Sequence, residues 1–585
     1  MPPDHTLQVA LPVPLPRLFD YLPPIGQAAS PGDVGKRVSV MFGNRALTGF
    51  VAGVGPPADP GLDLRPADAL LDAAPLLHGE LLESLHWLAR YTHAPLGEVV
   101  ATALPVLLRQ GEPLPDTHAW HWRLTEAGLS GRERLRAGSR PRRLADLLAQ
   151  HGTLDEDVLD LHLDTGRATA RDLGKRGLAE RFAAPPAAVA ASPRPGPALN
   201  DEQQAAADAI IGTSGFGALL LDGVSGSGKT EVYLHAIADC LRRGRQALVL
   251  VPEIGLTPQT LSRFRERLGV PVHALHSGLN DGERARTWAA CLRGEARVIV
   301  GTRSAVFTPL PEAGLIVVDE EHDGSYKQQD GIRYHARDFA LVRGKALGVP
   351  VVLGSATPSL ETLHNARSGR YAHLRLSRRA GEAQPPAVRV LDMRKRAQQA
   401  GLLSDTLQAI RQALDAGGQV LVFKNRRGYA PVLLCHDCGW SAQCKRCDSP
   451  MTVHAGGKRL QCHHCGARQA APPACPDCGG LALQPQGIGT ERLEELLAEQ
   501  FADVPVLRVD RGTTQKRDGL AQQLAKLGDT PGILVGTQIL AKGHDLPHLT
   551  RVAVVGVDEG LFSTDFRAGE KLAQQLIQVA GRRIR

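Results

Sequence analysis

Between an apolar run at 218–222 and a helix-like stretch at 231–241 stands the segment Gly223-Val224-Ser225-Gly226-Ser227-Gly228-Lys229-Thr230. It fits G-x-x-x-x-G-K-[ST], and its setting, strand before and helix after, is what such a loop requires. The glycines let backbone N–H groups wrap around phosphate oxygens, and the helix N-terminus adds a favourable dipole. Lys229 is expected to reach the β- and γ-phosphates of a nucleotide, and Thr230 a magnesium ion. A strand that becomes a helix through a phosphate loop commits this region to an α/β architecture. The surroundings agree: ALLLDG, ALVLVP, ARVIVGT, GLIVVDEE and VPVVLGSA alternate with helical segments, the signature of a parallel sheet with crossover helices. The alternation fades near 380 and resumes with QVLVFKN, GILVGT and RVAVVGVD, which predicts two lobes, 199–385 and 386–585.

A triphosphate site also needs acids that hold magnesium and orient water. LIVVDEEH at 315–322 supplies them, with Asp319 and Glu320 where an apolar strand ends. That is the edge at which ligands bind in open α/β sheets. Asp319 is expected to hold Mg²⁺ and Glu320 to polarise the attacking water. Tyr326 and Lys327 follow closely and offer a stacking face and a cation near the catalytic carboxylate.

Eight of the ten cysteines crowd into 435–478 as four C-x-x-C knuckles: Cys435/Cys438, Cys444/Cys447, Cys462/Cys465 and Cys475/Cys478. In a reducing compartment such crowding reads as metal ligation rather than disulfides. Four knuckles make two Cys₄ zinc sites, with three possible pairings. With every position filled by thiolate, the two Zn²⁺ are structural. The block interrupts the second lobe. Cys240 and Cys291 lie in helical contexts and read as buried apolar residues.

The first 198 residues differ in texture. Strand-like pieces at 38–44 and 47–54 and a helix at 80–94 predict a small β-rich unit over 1–105. Three short helices, 142–152, 154–162 and 168–178, predict a winged-helix module within 115–183. Six arginines between 131 and 146 read first as a solvated face and second as a phosphate-contacting edge. A Pro/Ala-rich linker at 184–198 separates this half from the lobes. A net charge of +7 permits an anionic partner without demanding one. The opening residues lack a basic n-region and are broken by prolines, so no signal peptide is expected, and no apolar run approaches membrane-helix length. A soluble, cytoplasmic chain is the resulting expectation.

A phosphate loop followed by D-E-E-H resembles superfamily 2 helicases. The words LNDEQQAA, GVSGSGKTEVY, VPEIGLTPQ, LHSGL, GTRSAVF, DEEHDGSYKQQDGIRYHARD, GSATPS, NRRGYAP, VGTQILAKGHD and DFRA stand in the order of the PriA family of replication-restart helicases. VMFGNR and PLGEVV resemble that family's DNA 3′-end-binding domain. The resemblance implies an ATP-dependent 3′→5′ DNA helicase that recognises abandoned forks and helps reload the replicative helicase. It implies as partners forked and single-stranded DNA, other primosome proteins, single-stranded-DNA-binding protein and the helicase-loading machinery, with no membrane, at the nucleoid. By position, Gln203 would contact adenine; Ser355 and Thr357 would link hydrolysis to lobe motion. The segment from His322 to Gln328 would report DNA occupancy to the ATP site. The zinc sites would be nested: Cys435, Cys438, Cys475 and Cys478 on one ion, Cys444, Cys447, Cys462 and Cys465 on the other. The final motif, Gln578-Val579-Ala580-Gly581-Arg582-Arg583-Ile584-Arg585, departs from the family's Q-V-A-G-R-A-G-R. Arg582 and Arg585 match the arginines that reach the γ-phosphate. Because Arg583 and Ile584 replace Ala and Gly and the chain stops, the expectation is a second lobe incomplete at its C-terminus and slow ATP turnover. A fork-binding scaffold with little turnover and a generic superfamily 2 translocase are the alternatives.

Overall fold

The computed structural model describes residues 5–581 apart from 60, 62, 118, 157–158, 160–162, 164, 185–193, 253–257, 380–385, 395, 425–432, 448–450, 455–458, 463–464, 486–489, 510–526, 537–547 and 562–564. Lobe 1 is a seven-stranded, wholly parallel sheet in the order Val272–Leu275, Val298–Gly301, Gln246–Leu250, Ala313–Asp319, Val351–Ser355, Ala218–Gly223, Ala372–Leu376. Its central strands are apolar at nearly every position because helices cover both faces. Alternation along each strand divides their side chains between two cores. Leu248, Leu250, Ile316 and Val318 face one way; Ala247, Val249, Leu315 and Val317 face the other.

The first of these cores extends beyond the lobe. Leu81, Leu85 and Leu88 of helix Gly79–Thr92, and Val99 and Val100 of helix Leu96–Ala103, belong to it together with Phe339 and Ala340 of helix Ala336–Leu347. Arg343, fully buried, fastens the junction. Its Nε and Nη2 donate to Glu80, and its Nη1 donates to the carbonyls of Val306 and Thr308, each at 2.7 Å. A buried guanidinium is tolerable only when its donors are met in this way. The antiparallel N-terminal sheet, order Phe19–Tyr21, Thr6–Ala10, Arg45–Gly55, Arg37–Phe42, Ala69–Leu70, is tied to Asp72 and to the segment 108–112 by a second buried arginine. Arg37 donates to both oxygens of Asp72 and to the carbonyls of Leu108 and Glu112.

The region 119–184 is a three-stranded antiparallel sheet, Leu154–Asp155, Ala119–Leu124, Ala179–Ala184, against helices Arg140–His151 and Gly166–Lys175. Trp122, Leu144, Leu148 and Leu173 form its core. Among the described residues the first and third expected helices are present; the middle segment begins as strand Leu154–Asp155, is helical at Leu159, and otherwise lies largely outside the described residues. In the arginine run, Arg142 is occupied by Asp146 and the Arg132 carbonyl, whereas Arg134, Arg136 and Arg143 are exposed.

Lobe 2 is a four-stranded parallel sheet, order Val506–Val509, Gly532–Gly536, Gln419–Lys424, Leu549–Val555. The cysteine block leaves it after Lys424 and returns before helix Thr490–Gln500. It carries its own small sheets, Leu433–Cys435 with Leu483–Pro485, and Thr452–His454, Arg459–Gln461, Arg468–Ala470. Helix Ala568–Ala580 closes the described chain and lies against lobe 1.

Candidate nucleotide cleft and zinc centres

The phosphate loop lies between strand Ala218–Gly223 and helix Lys229–Arg242. Gly226 and Gly228 take the left-handed backbone that glycine adopts without penalty. Lys229 Nζ donates to the Gly223 carbonyl at 2.9 Å, curled against the loop it serves. Gln203 braces the loop. Its Nε2 donates to the Ser227 carbonyl at 2.8 Å while its Oε1 accepts from Asn200 N, closing a capping box on helix Asp201–Ile211. The Oε1 of Gln203 and one of its two Nε2 protons are thus engaged within the protein.

Asp319 ends its strand, and the buried Tyr233, one helical turn past Lys229, donates its hydroxyl to Asp319 Oδ1 at 3.0 Å. Gly354 permits this approach: a Cβ there would stand 1.5 Å from the Tyr233 hydroxyl. Burial pushes the Asp319 carboxyl above the usual range, although the Lys229 charge and the Tyr233 hydrogen bond oppose it. A divalent cation would restore the carboxylate. Burial, reinforced by Asp319, keeps Tyr233 protonated and therefore a donor. Glu320 has φ +47, a left-handed conformation rare outside glycine that costs on the order of 1 kcal/mol or more.

Around Glu320 the two lobes meet. Gln578 Nε2 donates to His322 Nε2 at 2.8 Å and reaches Glu320 Oε2 at 3.4 Å. An amide nitrogen only donates, so His322 Nε2 accepts; the ring proton then sits on Nδ1 and is donated to Ser355 Oγ at 2.7 Å. Ser355 Oγ in turn accepts from Thr357 N at 2.9 Å, and Thr357 Oγ1 lies 3.5 Å from His322 Nε2. Five of the residues expected to act in hydrolysis and its coupling therefore form one hydrogen-bonded cluster: Glu320, His322, Ser355, Thr357 and Gln578. Gly581, which follows the same helix, lies against Ser225 of the phosphate loop. A Cβ there would meet Ser225 Oγ at 2.5 Å, so lobe 2 touches the phosphate loop itself. Arg582 and Arg585 lie outside the described residues.

Tyr326 requires a correction. It is wholly buried in the turn Gly324–Tyr326, and its hydroxyl donates to the Asp319 carbonyl at 2.6 Å. Its ring is packed into the lobe and presents no stacking face to a base; what it can do is fix the backbone on which Asp319 stands. Lys327 is likewise occupied, donating Nζ to the Arg333 carbonyl, while Arg303 Nη1 holds the carbonyls of Ser325 and Lys327.

The third acid of the run escaped the sequence reading. Glu321 is fully buried and accepts from Ser359 N at 2.6 Å, Ser359 Oγ at 3.0 Å, Thr362 Oγ1 at 2.9 Å and Arg337 Nη1 at 2.9 Å. It pins the turn that follows Ser355 and Thr357 to the strand that carries Asp319. Tyr233, Gly354, Arg337 and Gly581 were missed too. All four stand inside the words quoted above, but only close approach in three dimensions gives each its role.

The eight knuckle thiols gather into two groups, Cys435, Cys438, Cys475, Cys478 and Cys444, Cys447, Cys462, Cys465, with the sulfurs of each group within 4.8 Å of one another. Sulfur separations across knuckles are 3.5–3.6 Å for Cys435–Cys478, Cys438–Cys475, Cys444–Cys465 and Cys447–Cys462. A tetrahedron with Zn–S of about 2.3 Å has edges of roughly 3.8 Å, so both groups fit a zinc ion. The pairing is nested, and each group offers four thiolates with no open position, the composition of a structural site. The phosphate loop with Asp319 likewise fits ATP with Mg²⁺.

Comparison with known proteins agrees along the chain. Residues 8–105 match the family model described as the 3'DNA-binding domain (3'BD), 200–366 the DEAD/DEAH box helicase, 444–469 the PriA DNA helicase Cys-rich region and 488–585 the helicase conserved C-terminal domain. Replication restart protein PriA of Haemophilus influenzae is 44% identical over 588 residues, a match covering 98% of this chain and 80% of that protein. Its counterpart in Chlamydia muridarum is 37% identical over 86% of this chain and 69% of the relative. The Bacillus subtilis counterpart is 41% identical over 66% of this chain, and the match spans about half of its length, 49%. On this similarity the chain belongs to the family of PriA replication restart proteins.

Proposed function

We propose that the protein is an ATP-driven 3′→5′ DNA helicase that recognises stalled or abandoned replication forks and promotes reloading of the replicative helicase. The observation that carries this is the cleft itself. A lobe 2 helix delivers Gln578 to His322 and Glu320 of lobe 1 and sets Gly581 against the phosphate loop. Hydrolysis chemistry is thereby built across two bodies that can move relative to one another, as a translocating motor requires. In this reading Lys229 and the loop's backbone N–H groups bind the β- and γ-phosphates, and Thr230 and Asp319 hold the magnesium. Glu320 orients water for attack on the γ-phosphorus, and the arginines at 582 and 585 reach the same phosphate. ATP and Mg²⁺ supply the phosphoryl group and the charge that stabilises its departure. The two zincs hold the 435–478 module in shape. Partners are forked and single-stranded DNA, with primosome proteins, single-stranded-DNA-binding protein and the helicase-loading machinery. The cytoplasm, at the nucleoid, is the site of action; no helix among the described residues is long and apolar enough to cross a membrane.

Fork binding tests the substrate. A DNA fork with a free 3′ end at the branch is expected to outcompete the same fork built in RNA. Its affinity should fall with salt at a log–log slope of about −0.9 per neutralised phosphate. Lys229→Ala should leave that affinity within about twofold. Equal competition by the RNA fork would return the protein to the generic translocases.

A further inference from the structure

Helix Ala568–Ala580 meets lobe 1 through one polar stripe. Glu570, Gln574 and Gln578 are four residues apart, so they lie in line on one face. Each bonds across the cleft. Glu570 Oε1 accepts from Leu360 N at 2.9 Å, Gln574 Nε2 donates to the Thr357 carbonyl at 3.2 Å, and Gln578 Nε2 donates to His322 Nε2 at 2.8 Å. The rungs also touch one another, with Gln574 Nε2 at 3.4 Å from Glu570 Oε1. Just before the helix, Arg567 pairs with Glu361.

The polarity of each rung matches its partner. Leu360 is the first residue of helix Leu360–Arg367, so its N–H has no acceptor within that helix, and a carboxylate there also meets the favourable end of the helix dipole. The Thr357 carbonyl needs a donor and is given an amide. The three partners lie on elements that already act together, since His322 and Thr357 share the Ser355 hydroxyl and Glu321 pins Ser359 beside them. Eight residues of helix span about 12 Å. The stripe therefore runs as a stiff rod from the Thr357–Glu361 turn to the Glu320 carboxylate, and its end rests on the phosphate loop at Ser225.

We infer that Glu570 and Gln574 are positioning residues that couple the lobes, setting where Gln578 and Gly581 arrive in the ATP site. Their bonds across the cleft go to Leu360 N and the Thr357 carbonyl, not to the phosphate loop, Asp319 or Glu320. They act by fixing the register of the helix, so that a change at the phosphate loop moves lobe 2 as a body and a displaced lobe 2 withdraws Gln578 from His322. The inference rests on the helicase reading above.

Four variants separate hydrogen-bond polarity from packing. Glu570→Gln keeps an acceptor oxygen for Leu360 N, while Glu570→Ala removes it. Gln574→Glu keeps the size and turns an oxygen on the Thr357 carbonyl; Gln574→Ala removes the group. The readouts are DNA-stimulated ATP hydrolysis and base pairs unwound per ATP on a forked DNA, with thermal melting as the fold control. One interlobe hydrogen bond is worth roughly a three- to tenfold effect. Glu570→Ala, Gln574→Ala and Gln574→Glu should each lower base pairs unwound per ATP by about that factor with unchanged melting, and Glu570→Gln should stay within about twofold of the parent. A Gln574→Glu protein equal to the parent, or a Glu570→Gln protein as poor as Glu570→Ala, would overturn the proposal. If the parent itself hydrolyses no ATP on DNA, it is the helicase reading that fails, not the stripe.

Discussion

Glu321 illustrates what single side chains contribute here and how little of it the sequence discloses. Asp319 and Glu320 could be named from the chain because a phosphate loop stood upstream and the strand ended where ligands bind. The third carboxylate has the same local context but the opposite role. It is buried under Ser359, Thr362 and Arg337, which come from two other segments. Tyr326 makes the same point in reverse. Its position after the acids invited a base-stacking role, but the turn Gly324–Tyr326 sends the ring inward, and a three-residue turn has no periodicity from which that could be read. Removing the Glu321 carboxylate leaves the Ser359 N–H unanswered and the buried Arg337 guanidinium with only Asp338 and Ser359 Oγ as partners. Glu321→Ala should destabilise lobe 1 by about 3–5 kcal/mol. Denaturant unfolding measures this, and a loss below about 1 kcal/mol would show that the pair is dispensable.

At the level of elements, legibility followed periodicity. The apolar runs singled out in the lobes lie in five strands of lobe 1 and three of lobe 2, whereas Val272–Leu275, Ala372–Leu376 and Val506–Val509 carry His273, His373, Arg375 and Arg508 and give no apolar run. Strands Ala119–Leu124 and Ala179–Ala184 give no strand signal in the sequence because they mix aromatic and charged residues. Arg123 stacks on Phe182 and Arg181 on Trp120, so the outward positions do not look like those of a plain alternating strand. The cysteine block was the plainest element of all, since spacing alone sets its chemistry. Its strands are each three residues long, too short to persist unaided, and bound metal would supply the folding free energy they lack. Metal analysis should return two zinc ions per chain, and one ion or none would contradict the two-site assignment. Cys435→Ser should release one ion and raise proteolysis within 433–485 while the lobe 1 melting transition stays in place.

For the whole molecule, composition marked a linker at 184–198 and invited a picture of an N-terminal half apart from the motor. Packing gives a different picture. Helices at 79–103 share one continuous core with lobe 1, and the buried Glu80–Arg343 pair joins segments more than 250 residues apart. Core sharing of this kind leaves no mark in composition, because the buried leucines of a docked helix look like those of an independent one. Its consequence is that the N-terminal helices are docked on the ATP-binding lobe, while lobe 2 meets that lobe through helix Ala568–Ala580. The account stands on this two-body motor being driven by ATP at the phosphate loop. The most direct measurement is unwinding of a forked DNA with ATP by the parent protein, Lys229→Ala and Glu320→Gln, alongside ATP hydrolysis with and without the fork. The parent should hydrolyse ATP faster on the fork and unwind it. Both variants should fall at least about a hundredfold in each activity, a barrier change of roughly 2.7 kcal/mol. A Lys229→Ala protein that unwinds at the parent rate, or a parent whose ATP hydrolysis is indifferent to DNA, would contradict the account.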